Sequence, residues 1–380
     1  MTNTPAQNST LREADYEDCE TATELLRDLG LILPEGRDEI RNHWHRFWID
    51  NPALRIEGPS PARGWVLEDA GRMVGFFGNI PLLYDYGGRP IVVADASQWG
   101  VAKDYRSETP RLAEAYFTQK NANLLLVTTG IKPTGRIFAR YGGMPVPQPD
   151  YDQVLYWVLD PRKFLKAGLM KKGINPGVAT ALASTSAPIA SVVMALSGHR
   201  PSGRTRNINI IGVDDIGDEF DGLWQRKRDE VDRLLASRTS ESLRWHFGTE
   251  SMSRRTRLLV SRGLDGLAGY ATIMREDALD IGLKRLKIID LFVAGNDEAV
   301  IDNLLMAAFE AARADGCHVL ELIGLPSALR DHIIARHRLR SRRMETWPVF
   351  YKTMQGDLDA PLKDEKAWYV TAYDGDTALF

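Results

Sequence analysis

Several short patterns occur twice in this chain, in the same order and at nearly one spacing. Gly64-Trp-Val-Leu-Glu-Asp-Ala-Gly-Arg-Met-Val-Gly-Phe reads as strand, glycine turn and strand, and so does Arg257-Leu-Leu-Val-Ser-Arg-Gly-Leu-Asp-Gly-Leu-Ala-Gly-Tyr. Gly75 and Gly269 are equivalent positions, 194 residues apart. The apolar run at Leu124 returns at Val319, 195 residues on, and Ile137-Phe-Ala-Arg140 returns as Ile333-Ile-Ala-Arg336, 196 residues on. Repetition at a fixed period marks a duplicated structural unit. Each copy reads helix, hairpin, strand, helix, strand, helix, strand. A hairpin pairs antiparallel strands, whereas a strand–helix–strand step pairs parallel ones. The expected fold is therefore α/β (α+β), with two tandem copies of a mixed central sheet flanked by helices. Each copy is expected to close on its own aromatic strand, Leu155-Tyr-Trp-Val158 in the first and Pro348-Val-Phe-Tyr351 in the second. The implied divisions are a disordered tail at 1–10, a first domain at 11–160, a helical connector at 161–205 and a second domain at 206–380.

Composition narrows the class of function. With 380 residues, 44% of them hydrophobic and 26% charged, the chain can bury two ordinary cores. A formal charge of −3 leaves no electrostatic footprint for non-specific nucleic-acid binding. Cys19 and Cys317 are too far apart in sequence for a metal knuckle or redox pair, and a disulfide framework is excluded, so a cytoplasmic setting is expected. The polar opening residues carry no signal-peptide pattern. The uncharged stretch 177–198 is long enough to span a bilayer, but its Ser, Thr and Pro188 favour a connector packed on protein over membrane contact.

The hairpin Gly64–Phe77, Asp95-Ala-Ser-Gln-Trp-Gly-Val101, Lys103-Asp-Tyr-Arg106 and the helix end Phe138-Ala-Arg-Tyr-Gly-Gly143 together resemble the GNAT superfamily of acyl-CoA-dependent N-acyltransferases. Asn51-Pro52, Gly78-Asn-Ile-Pro81 and Trp368-Tyr…Asp374-Gly-Asp376 are similar to tandem-domain members associated with bacterial polysaccharide biosynthesis. The resemblance implies acetyl-CoA or another acyl-CoA as donor, a small-molecule amine as acceptor, such as an amino sugar held between the copies, and no metal. It also implies a splayed central strand whose backbone near Trp99–Val101 polarises the thioester carbonyl. A helix start would cradle the pyrophosphate, because free N–H groups and the helix dipole attract anions.

In the first copy that helix start is Arg106-Ser-Glu-Thr-Pro-Arg111, with Thr109 as N-cap, Pro110 after it, and Lys103, Arg106 and Arg111 as basic groups. It lacks the family's glycines. Asp95 and Ser97 occupy the strand where family bases lie, and Asp95 can take the amine proton directly or through water. The family's thiolate-protonating tyrosine falls on Phe138, with Tyr105 and Tyr84 as substitutes, and Ile334 stands there in the second copy. Asn79 and Tyr84 are assigned to the acceptor side. In the second copy, Asn296 or Asp297 caps the equivalent helix, and Asp297 and Glu298 would repel a pyrophosphate, so this copy reads as degenerate. Alternatives are a non-catalytic scaffold with the same fold, and a transferase whose donor rides on a carrier protein or tRNA.

Other conspicuous residues read as structural. His43 and His45, two apart on a helix, cannot chelate together. Trp44, Phe47 and Trp48 form a core stripe. Cys317 is a small buried hydrophobe, and the basic run Arg336–Arg343 is a solvated helix end and loop.

Overall fold

The computed structural model describes residues 9–58, 60–128, 132–185, 200–201, 205, 207–344 and 349–380. Most of the tail and the later part of the 177–198 stretch lie outside these. Among the described residues, no helix is long and apolar enough to cross a membrane.

The chain begins with β1 (Thr10–Glu13), α1 (Cys19–Asp28), α2 (Arg37–Trp48), β2 (Gly64–Asp69), β3 (Arg72–Tyr86) and β4 (Arg89–Val101). Then come α3 (Thr109–Thr118), β5 (Leu124–Val127), α4 (Lys132–Arg140), β6 (Met144–Pro145), β7 (Gln153–Val158) and α5 (Pro161–Lys171). A helix α6 at 176–185 precedes β8 (Ile208–Ile211), α7 (Glu219–Arg228), β9 (Leu235–Ala236), α8 (Ser240–Phe247) and α9 (Glu250–Arg255). The hairpin β10 (Thr256–Gly263) and β11 (Gly266–Arg275) leads to β12 (Arg285–Val293), α10 (Glu298–Ala314), β13 (Val319–Ile323) and α11 (Ser327–Arg336). The chain finishes with β14 (Arg340–Arg343), β15 (Phe350–Thr353) and α12 (Asp376–Leu379).

Two compact units result. The first takes the chain up to Pro147, then Leu234–Ser237 and the stretch ending at Ala367; the second takes the remainder. The first unit's sheet runs β1-β2-β3-β4-β5-β15-β6, with β9 also on β3, and the second's runs β14-β7-β13-β12-β11-β10-β8. Among the described residues, only β4–β5 and β12–β13 are parallel pairs, so both sheets are mixed.

The closing strands are exchanged. β7, expected to finish the first copy, pairs with β13 in the second unit's sheet, with Leu155 opposite Leu322. β15, expected to finish the second, pairs with β5 in the first unit's sheet, with Tyr351 opposite Leu126. Both strands carry buried aromatic residues, Trp157 on β7 and Phe350 and Tyr351 on β15, so aromatic content alone does not say which sheet each one joins. The tail is shorter than expected, since Thr10 already pairs with Glu68 and Ser9 is buried.

In the first unit, Leu112, Ala113, Tyr116 and Phe117 of α3 pack with Trp65, Phe77, Phe138 and Phe350 on one face of the sheet. On the other, α1 and α2 pack on β3, and Trp44, Phe47 and Trp48 are buried as their spacing required. Trp44 and Trp48 both lie against Phe76.

Candidate active site

β4 is the strand that makes the site. It pairs with β3 along its whole length, but with β5 only at Val93, Ala94 and Asp95. Beyond the Asp95–Leu126 pair no described strand accompanies β4 on that side. Its remaining six residues, Ala96–Val101, therefore present backbone polar groups at a fork in the sheet. Within that stretch lies a bulge. Phe77 faces Trp99 and Gly78 faces Ser97, so Gln98 is the extra residue, and its φ of 55° is in the left-handed region. A non-glycine residue held there costs energy unless its surroundings fix it. Gly78 opposite is required by contact: a Cβ would stand 2.7 Å from the Ser97 carbonyl oxygen.

The bulge is anchored by α2. Gln98 Nε2 lies 3.1 Å from His43 Nε2. Burial, and then the Arg46 charge, push the His43 imidazole down to about 4, so it is neutral and can accept from the amide. An unfolded imidazole titrates near 6.5. Between those two values the unfolded chain binds the proton and the folded chain does not, so stability falls as pH drops from 6.5 towards 4. His43 should account for about 3 kcal/mol of that loss. Urea unfolding at pH 7 and pH 4 checks it, because His43→Gln should lose less on acidification by about that amount. Equal losses in the two proteins would refute the assignment.

At the fork itself sits Tyr116. Its hydroxyl lies 2.9 Å from the carbonyl oxygens of both Ala94 and Leu126, spanning the strands where they part. Burial first, and the Asp95 charge second, hold this phenol well above its ordinary value, which keeps it a neutral donor. Tyr116 has the helical spacing of a core residue, and its partners are carbonyls of distant strands, so nothing local in the sequence distinguishes it.

The structure brings together some of the expected site residues and separates others. Asp95 and Ser97 are buried, two apart on β4 and on one face, at the fork and beside the bulge. Trp99 turns away onto Phe77, rings stacked at 4.5 Å between centroids, and its buried indole N–H has no hydrogen-bond partner among the described residues. Asn79 is opposite Ala96 whereas Asp95 is opposite Ile80, so their side chains leave opposite faces of the sheet. Asn79 donates to the Ala62 carbonyl at 2.8 Å and to Gln119 at 3.2 Å. Those two partners line two neighbouring cavities of about 500 and 280 Å³. Tyr84, five residues along β3, faces the other way from Asn79, so the pair does not line one pocket. Tyr105 is remote from Asp95. Its hydroxyl donates to Asp69 at the β2–β3 turn, and Asp69 pairs with Arg72, eight residues along β3 from Ile80, or roughly 27 Å.

The helix start also differs from expectation. A 3₁₀ turn, Lys103–Glu108, runs directly into α3, so Glu108 rather than Thr109 is the N-cap residue, and Thr109 N–H donates to the Arg106 carbonyl. Arg111 is held by Glu108 at 2.7 Å and by the Ser9 hydroxyl at 2.9 Å. Lys103 and Arg106 are the exposed cations of this end.

The second unit repeats the fork and then covers it. β12 pairs with β13 only as far as Ile288–Leu322, and Ile289 is the bulged residue. Beyond that point the C-terminal segment takes over. Tyr369 Oη donates to the Leu291 carbonyl at 2.5 Å, Thr371 Oγ1 to Asp290 at 2.8 Å, and Gln148 holds both Val370 N–H and C=O. Asp290 is fully buried and paired in bidentate fashion with the buried Arg238 guanidinium, at 2.9 and 3.1 Å. At the following helix Asp297 caps the amides of Ala299 and Val300, and Glu230 takes the Gly295 N–H. The protein's own carboxylates thus fill the position an anion would need. The basic run is not a loop: Arg340–Arg343 is an edge strand on β7, with Arg342 on Glu321 and Arg343 on Asp150 and Asp152.

Solved structures share the overall fold. A conserved protein of Enterococcus faecalis V583, described as a probable N-acyltransferase, superposes with a TM-score of 0.56 at 8% identity, covering 91% of this chain and 73% of its own. A GCN5-related N-acetyltransferase from Anabaena variabilis gives 0.57 at 10% identity, over 92% and 73%. The N-myristoyltransferase of Saccharomyces cerevisiae with bound myristoyl-CoA gives 0.53 at 13% identity, over 93% and 81%. The chain has the GNAT fold. No protein-family model and no curated protein matches it by sequence.

Proposed function

We propose that the chain is a GNAT-type N-acyltransferase whose first unit takes an acyl-CoA donor along the fork beside β4 and passes the acyl group to a small-molecule amine. The observation that carries this reading is the unaccompanied stretch Ala96–Val101 with its left-handed bulge at Gln98. Preorganised backbone groups beside a bulge can hold a thioester carbonyl as its charge develops. In this reading Asp95 accepts the amine proton directly or through water, the C–N bond forms, the thioester C–S bond breaks, and CoA leaves as a thiolate that takes up the proton lost by the amine. Lys103 and Arg106, exposed where β4 ends, meet the donor's phosphates. The covered fork of the second unit supports a structural part for that unit. An amino sugar, and with it a place in polysaccharide assembly, is the acceptor the sequence resemblance favours.

Calorimetric titration of the full chain with acetyl-CoA and CoA tests the donor. Saturable binding is expected, weakened tenfold or more in Lys103→Glu/Arg106→Glu, since both side chains are exposed and reversing them leaves the core intact. That binding would justify a thiol-release screen over amines, amino sugars included. No heat at millimolar ligand would overturn the CoA reading in favour of a carrier-borne donor or a scaffold.

A further inference from the structure

We propose that Asp302, His332 and His337 form a binding site for one divalent transition-metal ion of the zinc class in the second unit. Asp302 is on α10, His332 on α11, and His337 directly follows α11, where the backbone turns extended at φ −119°. That change of direction is what lets two histidines five residues apart converge. Asp302 Oδ1 lies 2.9 Å from His332 Nε2 and 3.0 Å from His337 Nε2, and one ligand atom from each residue lies within 4.8 Å of the others. Two imidazole nitrogens and a carboxylate oxygen are a zinc donor set, leaving one tetrahedral position for water. Ligand atoms at the usual bond lengths of about 2.0–2.2 Å would stand roughly 3.3 Å apart, so each of the two Asp302–histidine distances needs to open by only a few tenths of an ångström.

The surrounding groups suit the same role. Glu298 Oε1 is 3.5 Å from His332 Nδ1, placed to keep the proton on that nitrogen and the Nε2 lone pair inward. Arg336 Nε holds the other carboxylate oxygen, Asp302 Oδ2, at 3.1 Å and leaves Oδ1 to ligate. The Trp157 ring meets His337 edge-on, and the His337 side chain is fully buried. Such an ion would tie α10 to the end of α11 and stabilise the second unit by linkage, independently of any acyl transfer.

The test uses the full chain, stripped with chelator and dialysed. Titration with ZnCl2 should show uptake of one ion per chain, Co²⁺ should give the visible absorption of a tetrahedral site, and zinc should raise the thermal midpoint. His332→Gln should weaken zinc binding at least tenfold and abolish the midpoint rise, while the metal-free midpoint stays near wild type. Asp302→Asn, which preserves shape, should do the same and guards against a folding defect in the first variant. Absence of saturable uptake by the folded wild-type chain would overturn the site. So would undiminished zinc affinity in both variants, which would put the ion at another of the seven histidines.

Discussion

Replacing Phe350 with alanine is expected to loosen the first unit, although this residue lies more than 200 positions beyond that unit's central strands. Phe350 is buried on β15 between β5 and β6, packed with Phe138 and the α3 aromatics, and a Cβ on Gly135 would touch its ring at 2.7 Å. A phenylalanine-to-alanine change in such a core costs about 3–5 kcal/mol, because lost transfer energy and the residual cavity add. The reciprocal change is Trp157→Ala on β7, where the ring is buried and meets Phe309 of α10 edge-on. It should loosen the second unit by a similar amount. Amide hydrogen exchange separates the two, since core strands report the stability of the unit they belong to. Phe350→Ala should speed exchange in β2–β5, and Trp157→Ala in β10–β13. The reverse assignment would mean that each copy closes on its own strand after all.

Arg238→Met should be the most damaging single change in the second unit. The guanidinium is fully buried, paired with Asp290, 3.4 Å from Asp374, and stacked over Phe292 and Tyr373. Methionine fills much of the space but leaves two buried carboxylates without their cation. Removing one partner of a buried pair costs about 3–5 kcal/mol, most of it from the charge left behind. The cost should shrink at acidic pH, where the stranded carboxylates protonate. Urea unfolding at pH 7 and pH 5 measures both effects. A loss below about 1 kcal/mol at pH 7 would show that the Tyr270 and Thr371 hydroxyls, which both donate to Asp290, suffice without the arginine.

These two cases show where reading the sequence stops. Arg238 carries no local signal; it follows a two-residue strand, and its partners come from β12 and the C-terminal segment. The placement of Asp95 and Ser97 on a central strand was legible, because it follows from the local apolar pattern around them. Gln98 and His43 were not, because a bulge at a non-glycine residue depends on its neighbours' packing. Tyr105 shows a related limit. Its nearness along the chain to the end of β4 conceals that its hydroxyl is spent on Asp69.

What the sequence determined by itself is local and periodic. The repeat, the hairpins, the parallel steps, the buried Trp44–Trp48 stripe and the Asp297 cap follow from side-chain spacing and backbone preference within a few residues. Only the tertiary structure decided which strand completes which sheet, where each fork opens, which fork is covered, and that Asp302 meets His332 and His337. Those outcomes depend on pairing energies between segments far apart in the chain. β7 and β15 each bring buried aromatic residues, and strand pairing is decided by cross-strand neighbours that the strand's own sequence does not name.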